Sequence, residues 1–270
     1  MTRAAVSVLG LLVLGYLLIL GWYYINQEQL IFRPSKLDAA FEFTYSLPFE
    51  EVTVTAEDGA ELHGLLFRAD SARGLVFYLH GNAGALDRWG HEADLFVEHG
   101  FDTFIMDYRG YGKSTGTITS EQQFFNDIDT LYQHISARYP EQPVIITGYS
   151  IGTGPAAWLA RKYSPELLIL KAPYYSIPDL AADLYPFLPG WLAKYRFATH
   201  EYLQEVDSKV VIFHGDEDGL IRLDASRRLQ SYFARGDTLI VLPGQGHNGI
   251  RDNQIYRKHV ARMLEHVSGR

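Results

Sequence analysis

From Ala4 to Tyr24 the chain is uncharged and dominated by Leu, Val, Ile and Gly, and beyond position 50 the pattern changes to short apolar runs separated by amphipathic stretches. The first region is about 21 residues, roughly 31 Å as a helix, enough to cross a bilayer. Trp22, Tyr23 and Tyr24 close it as an interfacial aromatic belt. A cleaved signal peptide is one rival reading, but it needs a brief apolar region and a small-x-small cleavage site, and the residues after Leu20 are large and aromatic. A buried helix of a soluble protein is the other rival. The expectation is a transmembrane anchor over 1–25, followed over 26–49 by an irregular juxtamembrane segment with Pro34 and Pro48.

The alternating residues 52–55, the turn Glu57-Asp58-Gly59 and the run 61–67 predict an antiparallel hairpin. Six apolar runs follow, at 74–79, 103–106, 144–147, 167–170, 210–213 and 238–242. They alternate with helical patterns near 87–98, 121–138, 151–163, 222–234 and 249–267. Strands apolar throughout that alternate with helices indicate an α/β domain, here over 50–270, with a mostly parallel central sheet covered by helices on both faces. The stretch 174–206 breaks the rhythm, being too long for a connection and rich in Tyr, Phe, Leu and Pro. Insertions of this kind are lids or binding loops, so a small helical cap is expected, either packed on the core or lying over the site and touching the bilayer.

The formal net charge of -8, with no basic run longer than two residues, argues against a nucleic-acid partner. The absence of cysteine excludes disulfides, thiolate metal sites and a cysteine nucleophile. Arg3 and the amino terminus on one side of the apolar stretch, against Asn26-Gln27-Glu28-Gln29 on the other, favour a cytoplasmic N-terminus with the rest of the chain across the membrane.

Gly148-Tyr149-Ser150-Ile151-Gly152 directly follows the run 144–147. A G-x-S-x-G pentapeptide that ends a buried strand and opens a helix is the sequence form of a nucleophile elbow, which lifts one serine hydroxyl out of the backbone. Ligands of α/β domains sit at the carboxyl ends of strands. The other apolar runs end in His80-Gly81-Asn82-Ala83-Gly84, in His214-Gly215-Asp216-Glu217-Asp218 and in Pro243-Gly244-Gln245-Gly246-His247. These offer a nucleophile, an acid and a base in the order Ser, Asp, His. A serine hydroxyl needs a base to remove its proton during attack, which suits His247, and a carboxylate must fix the imidazole tautomer, for which Asp218 and Asp216 compete.

The strand-end loop at 80–84, Asp107-Tyr108-Arg109-Gly110-Tyr111-Gly112-Lys113-Ser114, the serine elbow and Tyr185-Pro186-Phe187-Leu188-Pro189 together resemble the α/β-hydrolase superfamily, and within it the membrane-anchored branch of abhydrolase-domain serine hydrolases. The likeness covers nearly all of 50–267. It implies hydrolysis of an ester, thioester or amide through an acyl-enzyme, without a cofactor, and some relatives of this branch are protein depalmitoylases. It also favours Asp218 over Asp216, because in relatives the acid follows a His-Gly strand end by this spacing. The oxyanion donors are then the main-chain N–H of Ile151, at a helix N-terminus, and one from the loop after Gly81, either Asn82 or its alternative Ala83. An apolar acyl group is expected in the substrate from the aromatic insertion.

Of the ten histidines, His91, His99, His134, His259 and His266 fall on predicted helices as surface residues, and His80 and His214 are expected to shape loops. No metal site is expected, because no His/Asp/Glu grouping has metal-ligand spacing. Gly110-Tyr111-Gly112-Lys113-Ser114 superficially resembles a phosphate loop but has Asp107 where that motif needs a glycine. Two alternatives stay open: an amidase or peptidase of the same fold, and a catalytically silent scaffold module at a membrane.

Overall fold

The computed structural model describes residues 3–267, so the outermost residues of the expected anchor and of the expected catalytic domain lie outside the described residues. Eight strands form one sheet: β1 (Phe49–Thr55), β2 (Glu61–Phe67), β3 (Gly74–Leu79), β4 (Phe101–Met106), β5 (Val144–Tyr149), β6 (Leu167–Lys171), β7 (Lys209–Gly215) and β8 (Thr238–Leu242). Their order across the sheet is β1-β2-β4-β3-β5-β6-β7-β8. The first two strands form the hairpin and β2 runs antiparallel to β4, while every later pair is parallel. Strands β3 and β4 are buried along their whole length, because helices cover both faces and leave no polar side to the pleat.

Two apolar clusters lie on opposite faces of the sheet. One joins Leu75, Phe77 and Ile146 to the helices Glu121–Ser136 and Thr153–Tyr163. The other joins Val76, Tyr78 and Ile145 to Leu95, Phe96, Tyr256 and Val260. The expected helix at 87–98 is broken into Leu86–Trp89, a 3-10 turn at Gly90–Ala93 and Asp94–Glu98.

Residues 26–49 are less irregular than their sequence suggests. Phe32 and Phe43 are buried in the two clusters, and Arg33–Pro34 pairs in parallel with Ala83–Gly84 as a short ladder outside the main sheet. This strap continues as Ser35 N–H donates to Gly84 O and Gly112 N–H donates to Ser35 O. A helix at Arg3–Ile25 precedes it, long and apolar enough to cross a membrane.

The insertion contains helices at Ile177–Leu184 and Thr199–Leu203 with a 3-10 turn at Gly190–Leu192 between them. Its two ends differ from its middle. Tyr174 is buried, and Tyr195, Phe197 and Tyr202 are buried against Phe32, Phe124 and Phe125 in the core, whereas Leu184, Tyr185, Phe187 and Trp191 are exposed.

Candidate active site

The sharp turn at Ser150 is forced by close approach. Strand β5 runs into a 3-10 turn at Ser150–Gly152 that leads directly into the helix Thr153–Tyr163. A Cβ on Gly148 would lie 2.4 Å from Gly152 O, and one on Gly152 would lie 2.2 Å from Leu79 O, so neither position admits a side chain. Between them Ser150 takes a φ of 52°, in the left-handed region, a conformation that costs a non-glycine residue about 1–3 kcal/mol and is retained only where the surroundings impose it.

His247 Nε2 lies 3.0 Å from Ser150 Oγ, and His247 Nδ1 lies 2.7 Å from Asp218 Oδ2. An ionised carboxylate only accepts, so Nδ1 carries the ring proton and Nε2 is the lone-pair nitrogen that faces the serine hydroxyl. Burial opposes charge on Asp218, but hydrogen bonds from His214 and His247, with the Ile221 N–H, outweigh it and hold the carboxyl well below the usual range. Asp216 is turned elsewhere: its Oδ1 accepts from Gly244 N–H at 2.7 Å and ties the end of β7 to the turn after β8.

The loop after β3 flanks the serine. A Cβ on Gly81 would stand 3.8 Å from Ser150 Cβ, which puts the Gly81 backbone beside Ser150. The Asn82 side chain points the other way: its Oδ1 accepts from Arg33 N–H at 3.0 Å and from Tyr111 Oη at 3.1 Å. Asn82 therefore has only its main chain to offer the serine. Ile151 is the second residue of the helical run that starts at Ser150, so its N–H has no acceptor within the helix. Its carbonyl accepts from Tyr174 Oη at 3.0 Å, which fixes the peptide that follows it.

Three arrangements around the site had little or no signal in sequence. His214, expected only to shape a loop, donates or accepts through Nδ1 with Ser226 Oγ at 2.6 Å, and its Nε2 lies 2.8 Å from Ile221 O and 3.4 Å from Asp218 Oδ2. It sits four residues before Asp218, so the loop folds the two side chains together. His80 hydrogen-bonds Gly81 O through Nδ1 at 2.6 Å and lies 3.7 Å from Asp107 Oδ1. Burial pushes the His80 imidazole down to about 4, so that ring is neutral at pH 7, and it pushes the Asp107 carboxyl well above its ordinary range. Lys171, at the end of β6, is wholly buried and pairs with Glu92 inside a cage of Tyr78, Tyr149 and Tyr256 at 4.7, 5.0 and 5.3 Å from Nζ. Tyr149 in turn donates its hydroxyl to the His247 carbonyl.

Of the five histidines predicted as helical surface residues, His91, His134 and His266 are exposed, while His99 and His259 are half-buried. Among the described residues no group of three or more His, Cys, Asp or Glu side chains is arranged to hold a metal ion.

A family model described as serine aminopeptidase, S33, matches residues 70–201. Lysophosphatidylserine lipase ABHD12 of Danio rerio is 31% identical over 215 residues, 69% of this chain and 56% of that protein. The Mycobacterium tuberculosis protein Rv2307c is 28% identical over 246 residues, 88% of this chain and 87% of that one. The Pyrococcus furiosus esterase Pf2001 superposes with a TM-score of 0.70 at 18% identity, covering 88% of this chain and 100% of that one, a likeness of fold alone. This chain belongs to the α/β-hydrolase superfamily. The chain spans a little over half the length of the lipase relatives it matches. The family match takes in Ser150 and ends before Asp218 and His247, which the fold brings to the same end of the sheet.

Proposed function

We propose that this hydrolase cleaves carboxylic esters of lipid-like acyl groups through an acyl-serine intermediate. The observation that carries the proposal is the continuous relay from Ser150 Oγ to His247 Nε2 and from His247 Nδ1 to Asp218. Ser150 Oγ attacks the ester carbonyl carbon as its proton passes to His247 Nε2. The carbonyl oxygen becomes an oxyanion, for which the N–H groups of Ile151 and Asn82 are the donors, and each such donor contributes several kcal/mol. His247 then gives the proton to the departing alkoxide, leaving acyl-Ser150 and a free alcohol. A water enters, His247 takes its proton, and the acid is released with the serine restored.

The lipid-like class is supported by the lysophosphatidylserine lipase relatives, by the aromatic insertion and by the apolar N-terminal helix. We read that helix as an anchor, with the N-terminus on the cytoplasmic side because Arg3 precedes it. Protease protection of sealed vesicles tests the orientation: the catalytic region is shielded when the cytoplasmic face is outward, and cleavage there reverses the assignment.

A fluorophosphonate probe labels the wild-type protein and leaves folded Ser150→Ala unlabelled; continued labelling at another serine sinks the triad. On p-nitrophenyl esters of rising chain length, octanoyl is turned over faster than acetyl, and the opposite order removes the acyl preference. The aminopeptidase description of the family model favours amide cleavage as a second reading. Turnover of a matched p-nitroanilide at a rate comparable with the ester would establish it.

A further inference from the structure

The middle of the insertion and the N-terminal helix form a single unit. Tyr16 Oη donates to Phe187 O at 2.8 Å. One helical turn on, Leu20 and Tyr23 pack against Leu188 and Leu192, and these are the two residues that the helix buries. A further turn on, buried Gln27 donates through Nε2 to Leu192 O at 2.9 Å and accepts Lys194 N–H at 2.8 Å. Lys194 Nζ lies 3.2 Å from Glu28 and 4.8 Å from the centre of the Tyr24 ring. The two segments therefore run in the same direction and change from apolar to polar to ionic at the same levels.

This rests on reading the helix as a bilayer anchor. Tyr16 lies nine residues before the helix end at Ile25. At about 1.5 Å per residue that is roughly 13 Å, well within a hydrocarbon core of about 30 Å. Whatever bonds Tyr16 shares that depth. No charged residue occurs over 184–193. Outside the helix Trp191 is the most exposed large apolar side chain described, at 79%, with Phe187 at 55% beside it. Much of the backbone also suits a medium without water. Pro186 and Pro189 have no N–H to satisfy, and the N–H groups of Tyr185, Leu188, Leu192 and Ala193 are bonded to carbonyls within 181–190.

We infer that segment 184–192 is inserted in the lipid leaflet alongside the anchor, with Leu184, Tyr185, Phe187 and Trp191 in contact with acyl chains. The middle of the insertion is then a lipid-embedded element rather than a water-exposed one.

Because the chain has no cysteine, single labels report without background. Phe187→Cys, Trp191→Cys, the helix control Val13→Cys and the distal control Ile255→Cys carry an environment-sensitive fluorophore. Each full-length protein is reconstituted in phosphatidylcholine vesicles with or without doxyl-labelled lipid, and fluorophosphonate labelling verifies the fold. The expected result is strong doxyl quenching at 13, 187 and 191 with little quenching by aqueous iodide, and the reverse at 255. Quenching by doxyl lipid at 13 but only by iodide at 187 and 191 overturns the inference and leaves the anchor standing. Iodide quenching at 13 as well overturns the anchor and the inference with it.

Discussion

Ser150, Asp218 and His247 are delivered by carboxyl ends of strands in one parallel sheet, whereas the loop that faces them, 81–84, is held from outside that sheet by the strap Arg33–Pro34. On the first side the register of β3 against β5 and the close approach at Gly148 and Gly152 leave Ser150 one place to be. On the second side the proposed donor loop depends on a segment that begins two residues after the helix Gln27–Ile31, itself continuous with the N-terminal helix. The difference teaches that the proposed nucleophile and base are placed by the sheet, while the proposed oxyanion loop is coupled to the part of the chain read as membrane-bound.

The largest effect falls on the sheet side. Ser150→Ala lowers kcat on a p-nitrophenyl ester by about 10⁴ to 10⁶-fold with little change in melting temperature. A loss below a hundredfold would move the nucleophile elsewhere. Asp218→Asn follows at about 10⁴-fold, because the amide no longer fixes the tautomer of His247.

The pH dependence sharpens the same side. Asp218 is held well below its ordinary range in the fold, so its contribution to stability is complete above its unfolded value of about 3.9 and is lost as pH falls below that. Chemical denaturation of wild type and Asp218→Asn checks this, and their difference shrinks between about pH 4 and pH 2. Since Asp218 stays ionised at working pH, the acid limb of kcat/KM has unit slope, from one imidazole that must be neutral to act as base. A slope of two would add a second essential group.

Breaking the strap costs less. Tyr111→Phe removes the hydroxyl that donates to Asn82 Oδ1 and accepts from Arg33 N–H, while Ser150 and His247 stay untouched. We expect kcat to fall about tenfold to a hundredfold, less than deletion of an oxyanion donor, and stability to fall by about 1 kcal/mol. Fluorophosphonate labelling slows but persists; an unchanged kcat would uncouple strap and loop.

The smallest effect on rate is expected beneath the site. Lys171→Met leaves Glu92 buried without its cation and costs about 3–5 kcal/mol, but Lys171→Met with Glu92→Leu restores most of that stability, since an apolar pair avoids desolvation. The double variant keeps kcat within a few fold. A hundredfold loss in the stable double variant would make the caged lysine a positioning group for His247 through Tyr149.

Much of the strand pattern was legible because a strand buried on both faces must be apolar throughout. The run 74–79 coincides with β3; the run 238–242 also coincides with β8, which as the outermost strand is only partly buried. The placement of the candidate site residues was legible for a related reason: Ser150, Asp218 and His247 follow the carboxyl ends of such runs, which a parallel sheet gathers at one end. Helix 87–98 was misjudged as continuous because its apolar spacing survives across a 3-10 turn that tightens the chain at Gly90–Ala93. The strap was missed because two residues are too short for periodicity, and its partner lies 50 positions away at Ala83.

The sequence by itself determined the α/β alternation, the elbow and the order Ser, Asp, His, since these follow from local hydrophobic period and from which residue types end each run. Only the tertiary structure decided that Asp218 rather than Asp216 meets His247, that His214 backs Asp218, that Lys171 is caged by three tyrosines, and that 184–192 docks on the N-terminal helix. Each of these is a contact between side chains distant in sequence or turned apart by a loop. Their energies depend on burial and geometry that no single stretch of chain encodes.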